Sequence, residues 1–261
     1  MRSARPIMLR GQPIAGGAMP AICTPLVGGT RDALLSEMAE ILPRQPDVVE
    51  WRADFFEGIG DLRPVLDTAR ALRAAAKGVP LLFTCRAAEE GGERLDLPES
   101  GVLELYEAVC AARCVDLVDY ELSHPAEAFA RLREASRNQG IALIGSYHNF
   151  DSTPPAAALL ATFRDAEARG ADVGKVAVMP RSPADVLTLL AATFEANQRL
   201  DIALISMSMG RYGSLSRMIG GVFGSALTFA VGKASSAPGQ MPIEELRSVL
   251  AAVRRSIRAD R

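Results

Sequence analysis

Short runs of apolar residues alternate with longer amphipathic stretches along most of the chain. Runs of this length between turn residues are typical of buried strands. They occupy residues 21–27, 48–51, 81–85, 115–122, 141–147, 173–179, 202–207 and 226–231. The intervening stretches carry apolar residues at three- and four-residue spacing, for example PESGVLELYEAVCAARC and SPADVLTLLAATFEANQ, which predicts helices.

The ends of several predicted helices carry the expected residues. Residues typical of helix starts are Thr30, Asp61, Ser182 followed by Pro183, and Pro242. Glycines typical of helix ends are Gly78, Gly140 and Gly170. The pattern therefore contains eight strand–helix units.

Strands that alternate with helices predict a parallel sheet, and eight units in 261 residues fit a closed α/β barrel of the (β/α)8 TIM type. An open doubly wound sheet is the alternative. It is disfavoured because the sequence after the first strand, TPLVGGTRD, lacks a glycine-rich dinucleotide fingerprint. Residues 1–19 are predicted to form an N-terminal arm or hairpin over the bottom of the barrel. Residues 20–261 are predicted to form the barrel itself, as a single domain.

The charge balance narrows the range of partners. The formal net charge is −2, from 29 basic and 31 acidic residues, which gives no reason to expect a nucleic acid. No apolar run reaches the roughly 18 residues of a membrane span, and MRSARPIMLRGQP lacks the apolar core of a signal peptide. We therefore expect a cytoplasmic protein with no membrane partner.

Cysteine, histidine and lysine are all scarce. Cys110 and Cys114 are four residues apart, but no histidine or further cysteine lies near them in the sequence, so we expect buried thiols and no metal site. Only three lysines, Lys77, Lys175 and Lys233, stand among the 29 basic residues.

In a barrel of this type, functional side chains lie at the carboxyl ends of the strands. These positions hold many charged residues: Glu50, Arg52 and Asp54; Arg86 and Glu90; Asp119 and Glu121; His148; Lys175; and Arg217 followed later by KASSAPGQ. Structural interpretations stay open for some of them. Glu50 and Arg52 are also compatible with a plain ion pair, Arg86 and Glu90 with a solvated loop pair, and His148 with a core histidine.

Lys175 is the strongest candidate because it lies inside an apolar strand, GADVGKVAVMP. Alternation places Lys175, Ala177 and Met179 on one face of this strand. If that face lines the barrel, burial and the nearby Arg52 and Arg86 favour the uncharged amine. An uncharged buried amine is a nucleophile that forms an imine with a ketone or aldehyde. The arginines would attract an anionic substrate such as a carboxylate, and a histidine would move protons.

Several motifs in this order resemble type I 3-dehydroquinate dehydratase. They are EWRADFF, LLFTCRAAEEGGE, SYHNF, GADVGKVAVMP, ISMSMGRYGSLSRMIGGVFGSALTF and KASSAPGQ, and they extend over roughly residues 20–255. The resemblance implies a lyase of the shikimate pathway that dehydrates the small molecule 3-dehydroquinate to 3-dehydroshikimate. It also implies a TIM barrel, a homodimer, and no metal or organic cofactor.

The resemblance also implies a role for each matching residue. Lys175 corresponds to the Schiff-base lysine, His148 to the general acid/base and Glu90 to a carboxylate that assists the histidine. Glu50, Arg52 and Arg86 correspond to groups that hold the ring hydroxyls, and Arg217 to the arginine that binds the substrate carboxylate. Ser236 and Gln240 belong to a closing loop after the eighth strand.

Three positions depart from the family pattern. Pro25 stands where a serine is common, and Thr24 is the expected replacement for its hydroxyl. Asn149 and Arg211 replace a common aspartate and lysine. For Glu121 we form a separate hypothesis, that it accepts a hydrogen bond from His148 and sets its tautomer.

Two other functions remain compatible with the residues. A class I aldolase shares a lysine on the sixth strand but requires a phosphate site after strands seven and eight. A catalytically silent barrel that acts as a binding or regulatory module is the second alternative.

Overall fold

The structure is a computed structural model that describes residues 2–9, 11–17, 19–233 and 236–258, with residue 258 described in its backbone only. The chain begins with a small antiparallel hairpin formed by β1 (Met8–Leu9) and β2 (Gln12–Pro13). Ile7 and Leu9 are buried in the same apolar cluster as residues from the barrel interior. The hairpin therefore packs against one end of the barrel.

Eight parallel strands form the main sheet, as the sequence predicts. They are β3 (Ala21–Leu26), β4 (Val48–Arg52), β5 (Leu81–Thr84), β6 (Leu117–Glu121), β7 (Ala142–Asn149), β8 (Val173–Val178), β9 (Ala203–Ser208) and β10 (Leu227–Phe229). Each strand from β3 to β8 pairs with the next along the chain, and β10 pairs with β3. β9 approaches the start of β10 through a bridge between Leu204 and Ser225, so the sheet is a nearly closed barrel.

Helices follow the strands and cover the outside of the barrel. They are α1 (Arg31–Ile41), α2 (Leu62–Ala75), α3 (Glu99–Ala111), α4 (Ala126–Asn138), α5 (Ala156–Ala168), α6 (Pro183–Arg199), α7 (Gly210–Ile219) and α8 (Ile243–Arg258). Short 3-10 helices cover Leu42–Arg44, Ala53–Phe55, Ala88–Glu90 and Gly220–Phe223. Within the described ranges, no helix combines the length and the apolar character needed to cross a membrane.

The predicted helix ends are confirmed by their local geometry. The side chain of Thr30 accepts the N–H of Ala33 at 3.2 Å, and that of Asp61 accepts the N–H of Arg63 at 2.9 Å. Ser182 and Asp185 form a capping box at the start of α6. Gly78, Gly140 and Gly170 all have positive φ, which explains the choice of glycine after these helices.

Strand alternation divides the barrel into two environments. On β4, Val49 and Trp51 pack outward under the helices, whereas Val48 points inward. Inward residues near the amino ends of the strands are apolar and fill the lower half of the interior. Inward residues near the carboxyl ends are charged, so the upper half of the interior becomes a polar cavity.

Candidate active site

A cavity of about 430 Å³ lies at the carboxyl ends of the strands, where the sequence places the functional groups. All nine predicted site residues line it: Glu50, Arg52, Arg86, Glu90, His148, Lys175, Arg217, Ser236 and Gln240. Apolar groups complete the wall, among them Phe150, Met207 and Phe229. The cavity therefore combines a few convergent polar groups with an apolar lining, as small-molecule sites do.

Lys175 lies on β8 with only 4% of its side chain exposed. Its Nζ donates a hydrogen bond to Asp119 Oδ2 at 2.6 Å and lies 4.8 Å from the centre of the Phe229 ring. The sequence predicts only arginines, Arg52 and Arg86, around this amine, so the carboxylate of Asp119 is an addition. Lys175 therefore forms a buried ion pair with a carboxylate at the edge of the cavity.

Asp119 and Arg86 connect Lys175 to the rest of the site. Arg86 lies 2.8 Å from Asp119 Oδ1 and 2.6 Å from Glu121 Oε1, and its Nη1 also donates to Ser146 Oγ at 2.9 Å. Burial disfavours the charge on Asp119, but Arg86 and Lys175 outweigh it and hold the pKa of Asp119 far below its usual value. Burial also opposes the charge on Arg86, yet Asp119 and Glu121 raise its pKa. These groups form one charged, hydrogen-bonded network.

His148, at the end of β7, is paired with Glu90. The Nδ1 atom of His148 lies 3.0 Å from Glu90 Oε2, and the backbone N–H of His148 donates to the same oxygen at 2.8 Å. Burial, followed by the charges of Arg86 and Lys175, lowers the pKa of His148 well below its usual value, which favours the neutral ring. Burial and the charge of Glu121 raise the pKa of Glu90 to about 7.

Glu50 and Arg52 do not pair with each other, so the interpretation of a plain ion pair between them is wrong. Arg52 forms a forked pair with Asp54, with N–O distances of 2.8 and 2.7 Å. Glu50 accepts a hydrogen bond from Thr84 Oγ1 at 2.9 Å. Both residues line the cavity.

Arg217, on α7, differs from the other cations of the site. It is 1% exposed, and no carboxylate in the described part of the chain lies within ion-pair distance of it. Among the described residues, its guanidinium contacts the sulfur of Met207 at 3.5 Å and the carbonyl of Pro238 at 3.3 Å. Burial lowers its pKa to about 10. A buried guanidinium that contacts no carboxylate is suited to bind an anion through two parallel hydrogen bonds.

Residues 236–240 cover the cavity. Ser236 and Gln240 are joined by two hydrogen bonds, of 3.3 Å from the backbone N–H of Ser236 and 3.2 Å from Gln240 Nε2. The carbonyl of Ser236 lies 3.4 Å from Arg52 Nη1, so the loop contacts the cavity from above. Residues 234 and 235 of the predicted closing loop lie outside the described residues.

Comparison with known proteins agrees with this geometry. The model of the family described as type I 3-dehydroquinase matches residues 22–256. The chain belongs to the type I 3-dehydroquinase family. Relatives of this family resemble the chain over almost its whole length. A 3-dehydroquinate dehydratase from Albidiferax ferrireducens is 54% identical over 98% of this chain and 97% of its own.

Solved type I 3-dehydroquinase structures share the fold. The 3-dehydroquinate dehydratase of Geobacillus kaustophilus superposes with a TM-score of 0.94 at 48% identity, covering 98% of this chain and 99% of its own. The type I enzyme of Clostridium difficile, solved with covalent modified comenic acid, gives a TM-score of 0.92 at 35% identity. It covers 98% of this chain and 100% of its own.

Within this type I 3-dehydroquinase site, two sequence hypotheses are wrong. Glu90, and not Glu121, contacts His148, because Glu121 accepts from Arg86, the backbone of Ala87 and His124. Thr24 does not replace a hydroxyl in the cavity. It lies beside Val49 on the outer face of the sheet, and its buried Oγ1 has no hydrogen-bond partner.

Sequence reasoning noted Asp119 at a strand end but assigned it no role. Strand alternation could have placed Asp119 in the barrel interior, because it shares the inward face of β6 with Glu121 and is opposite Ile144 of β7. The four cysteines are buried free thiols, as expected. Among the residues the structure describes, no group of three or more histidine, cysteine, aspartate or glutamate side chains is arranged to hold a metal.

Proposed function

We propose that this protein dehydrates 3-dehydroquinate to 3-dehydroshikimate, in the shikimate pathway of aromatic amino acid biosynthesis, through an imine on Lys175. The observation that carries the proposal is the common cavity of an amine, an imidazole and a buried guanidinium that has no carboxylate partner among the residues the structure describes. Membership of the type I 3-dehydroquinase family supports the same substrate.

Substrate binding begins with its carboxylate. Arg217 binds this group through a forked pair of hydrogen bonds, because the other cations of the site already face carboxylates. Glu50, Arg52 and Arg86 contact the ring hydroxyls. Residues Ser236 and Gln240 close over the ring and exclude water.

The covalent step uses the amine of Lys175. After losing a proton, Lys175 Nζ attacks the ketone carbon C3, and the carbonyl oxygen leaves as water to give an iminium. The iminium accepts electrons from the neighbouring carbon, so C2–H becomes acidic. An enamine forms when that proton is removed, and the hydroxyl on C1 then departs as water. Addition of water to the product imine releases 3-dehydroshikimate and the free lysine.

His148 is the proton carrier in this scheme. When Glu90 is ionised it accepts Nδ1–H, which leaves the lone pair of the neutral ring on Nε2. His148 takes the proton from C2 through that nitrogen and later gives a proton to the leaving hydroxyl. Glu90 holds the ring in the required tautomer and stabilises the imidazolium that forms.

Borohydride trapping tests the imine directly. Reduction during turnover is expected to attach the substrate to the peptide that contains Lys175. Lys77 and Lys233 serve as internal controls, and an adduct on either one contradicts the assignment. Lys175→Arg keeps the charge but forms no adduct and loses turnover. His148→Ala still forms the adduct but lowers kcat roughly 10²–10⁴-fold, because proton transfer is lost.

We also propose a cytoplasmic homodimer. Leu187 and Phe194 on α6 and Leu215 on α7 are exposed apolar side chains on neighbouring helices, and they offer a contact surface for a second copy. Sedimentation equilibrium is expected to give twice the chain mass of 27.8 kDa. Leu187→Glu is expected to shift the mass toward the monomer, and an unchanged dimer contradicts the proposed surface.

A further inference from the structure

His124 lies just after β6, at the same end of the barrel as the active site, and the proposed mechanism does not use it. Its ring stacks on Tyr120, with 4.0 Å between ring centres and an angle of 11°. Nδ1 lies 3.0 Å from Glu99 Oε1, and Nε2 lies 3.0 Å from Glu121 Oε2. Each ring nitrogen therefore faces a carboxylate.

This geometry determines the charge of the ring. A neutral imidazole has one N–H, so one of its nitrogens would direct a lone pair at a carboxylate oxygen. An imidazolium has two N–H groups and satisfies both Glu99 and Glu121. The two carboxylates therefore select the cationic form of His124.

Glu121 transmits the effect of His124 to the active site. Its other oxygen accepts from Arg86 Nη1 at 2.6 Å and from the backbone N–H of Ala87 at 3.1 Å. Arg86 in turn lies 2.8 Å from Asp119, which binds Lys175. The carboxylate of Glu121 thus contacts two cations, the imidazolium of His124 and the guanidinium of Arg86, and it holds Arg86 at the cavity.

The preceding residue provides a parallel connection. Ser123 Oγ donates to Glu90 Oε1 at 2.8 Å, while the other oxygen of Glu90 faces His148. The turn that carries Ser123 and His124 therefore contacts both carboxylates that orient the site, Glu90 and Glu121. A movement of this turn would alter Arg86 and His148 together.

We propose that His124 is a positioning residue for the dehydration: its imidazolium, held between Glu99 and Glu121, fixes Glu121 and through it Arg86. The inference rests on the proposed function, because Arg86 is assigned there to the ring hydroxyls. His124 does not contact the substrate in this scheme.

The charged groups around His124 determine in which direction its pKa shifts. Arg169, after α5, donates to the carbonyl of His124 at 3.2 Å, and Glu89, Glu93 and Arg94 line the same surface groove. Burial opposes the charge on the ring, but Glu121 and Glu99 outweigh it and raise the pKa of His124. The imidazolium is present below that raised pKa and is lost as the pH rises through it.

Nuclear magnetic resonance of ¹⁵N-labelled histidine tests the charge without turnover. The chain has only two histidines, so His124→Gln assigns both sets of signals. We expect His124 to be doubly protonated at pH 6.5 and to titrate above the usual value of about 6.5, whereas His148 is neutral. A neutral His124 ring at pH 6 overturns the proposal. Because no substrate is present, this result is independent of the proposed function.

Kinetic pH profiles test the positioning role. In the wild type, kcat/KM is expected to fall as the pH rises through the His124 titration measured above. His124→Gln is expected to lower kcat/KM about tenfold at pH 6.5, through KM more than kcat, and to remove that pH step. His124→Arg keeps a stacked cation and is expected to restore activity.

Arg199→Gln is the matched control, because it removes an exposed positive charge paired with Glu195 on α6. It is expected to leave the profile unchanged. A uniform loss in His124→Gln that keeps the pH step indicates a purely structural role and overturns the proposal. Glu99→Gln is expected to move the fall in kcat/KM to lower pH, since a neutral amide then replaces one of the two carboxylates that face His124.

Discussion

Three of the four buried cations around the cavity are already bound by carboxylates. Asp119 binds Lys175 and Arg86, and Asp54 binds Arg52 in a forked pair. Arg217 alone among these four has no such partner in the described part of the chain. An uncompensated buried charge destabilises the folded protein, and here the substrate carboxylate would supply the missing partner. Arg217 is therefore expected to favour substrate binding and to lower the stability of the protein without substrate.

We predict that Arg217→Met raises KM roughly 10–100-fold, because two charge-assisted hydrogen bonds to the substrate are lost. The same variant is expected to raise Tm by a few degrees, since an apolar side chain of similar length replaces a buried guanidinium that has no carboxylate partner among the described residues. Steady-state kinetics and thermal unfolding of the free protein measure the two effects. A lower Tm would show that Arg217 stabilises the empty site, contrary to this account.

At the scale of elements, the strands could be predicted well from the sequence. The run at residues 173–179 became β8 (Val173–Val178), and alternation correctly placed Lys175 and Ala177 on the cavity face. Strand positions depend on local periodicity and on turn residues, which a single sequence contains. This explains why the strand-end residues Glu50, Arg52, Arg86, His148 and Lys175 line one cavity, whereas the loop residues Ser236 and Gln240 were predicted from the family resemblance.

The pairing of side chains within the site could not be predicted in the same way. Glu90 and Glu121 both come from loops or strand ends near His148. Glu90, which the family resemblance assigned to the histidine, contacts the ring, and the additional hypothesis of a contact from Glu121 is wrong. Which carboxylate reaches the ring depends on the stagger between strands and on the 3-10 helix at Ala88–Glu90. These are tertiary features of a few ångströms, and hydrophobic periodicity carries no information about them.

The loop over the cavity gives a prediction at this scale. Gly239 has a φ of +80°, and a Cβ there would lie 2.3 Å from the carbonyl oxygen of Gly210. Gly239→Ala therefore displaces the loop from α7 and is expected to raise KM about three- to tenfold, from the strain introduced. Tm should change little. Gly60→Ala is the control, since a Cβ at Gly60 meets nothing within 4 Å and needs no positive φ.

The whole molecule combines an apolar lower barrel with a charged upper barrel. Cys23, Val48 and Leu82 belong to the apolar cluster of the lower interior, together with Ile7 and Leu9 of the N-terminal segment. Above this cluster, Asp119 is fully buried between two cations. Breaking a buried ion pair destabilises a folded protein, so the stability of the barrel depends on the same network as its chemistry.

This dependence gives a prediction for folding. Asp119→Asn leaves Lys175 and Arg86 without their shared carboxylate, and the free energy of unfolding is expected to fall by ~3–5 kcal/mol at pH 7. The exposed pair of Asp67 with Arg70 supplies the control, because Asp67→Asn is expected to cost less than ~1 kcal/mol.

Wild type and Asp119→Asn are expected to differ in their free energy of unfolding by an amount that depends on pH. This pH dependence follows from the lowered pKa of Asp119. A carboxyl with a lowered folded pKa stabilises the protein above its unfolded pKa, which is about 3.9 for aspartate, and this contribution is lost as the pH falls. Urea unfolding should therefore show a constant difference from pH 7 to about pH 5 and a shrinking one below about pH 4. A difference that persists unchanged at pH 3 would mean that the aspartate acts through packing, because its charge would then contribute nothing to the stability of the barrel.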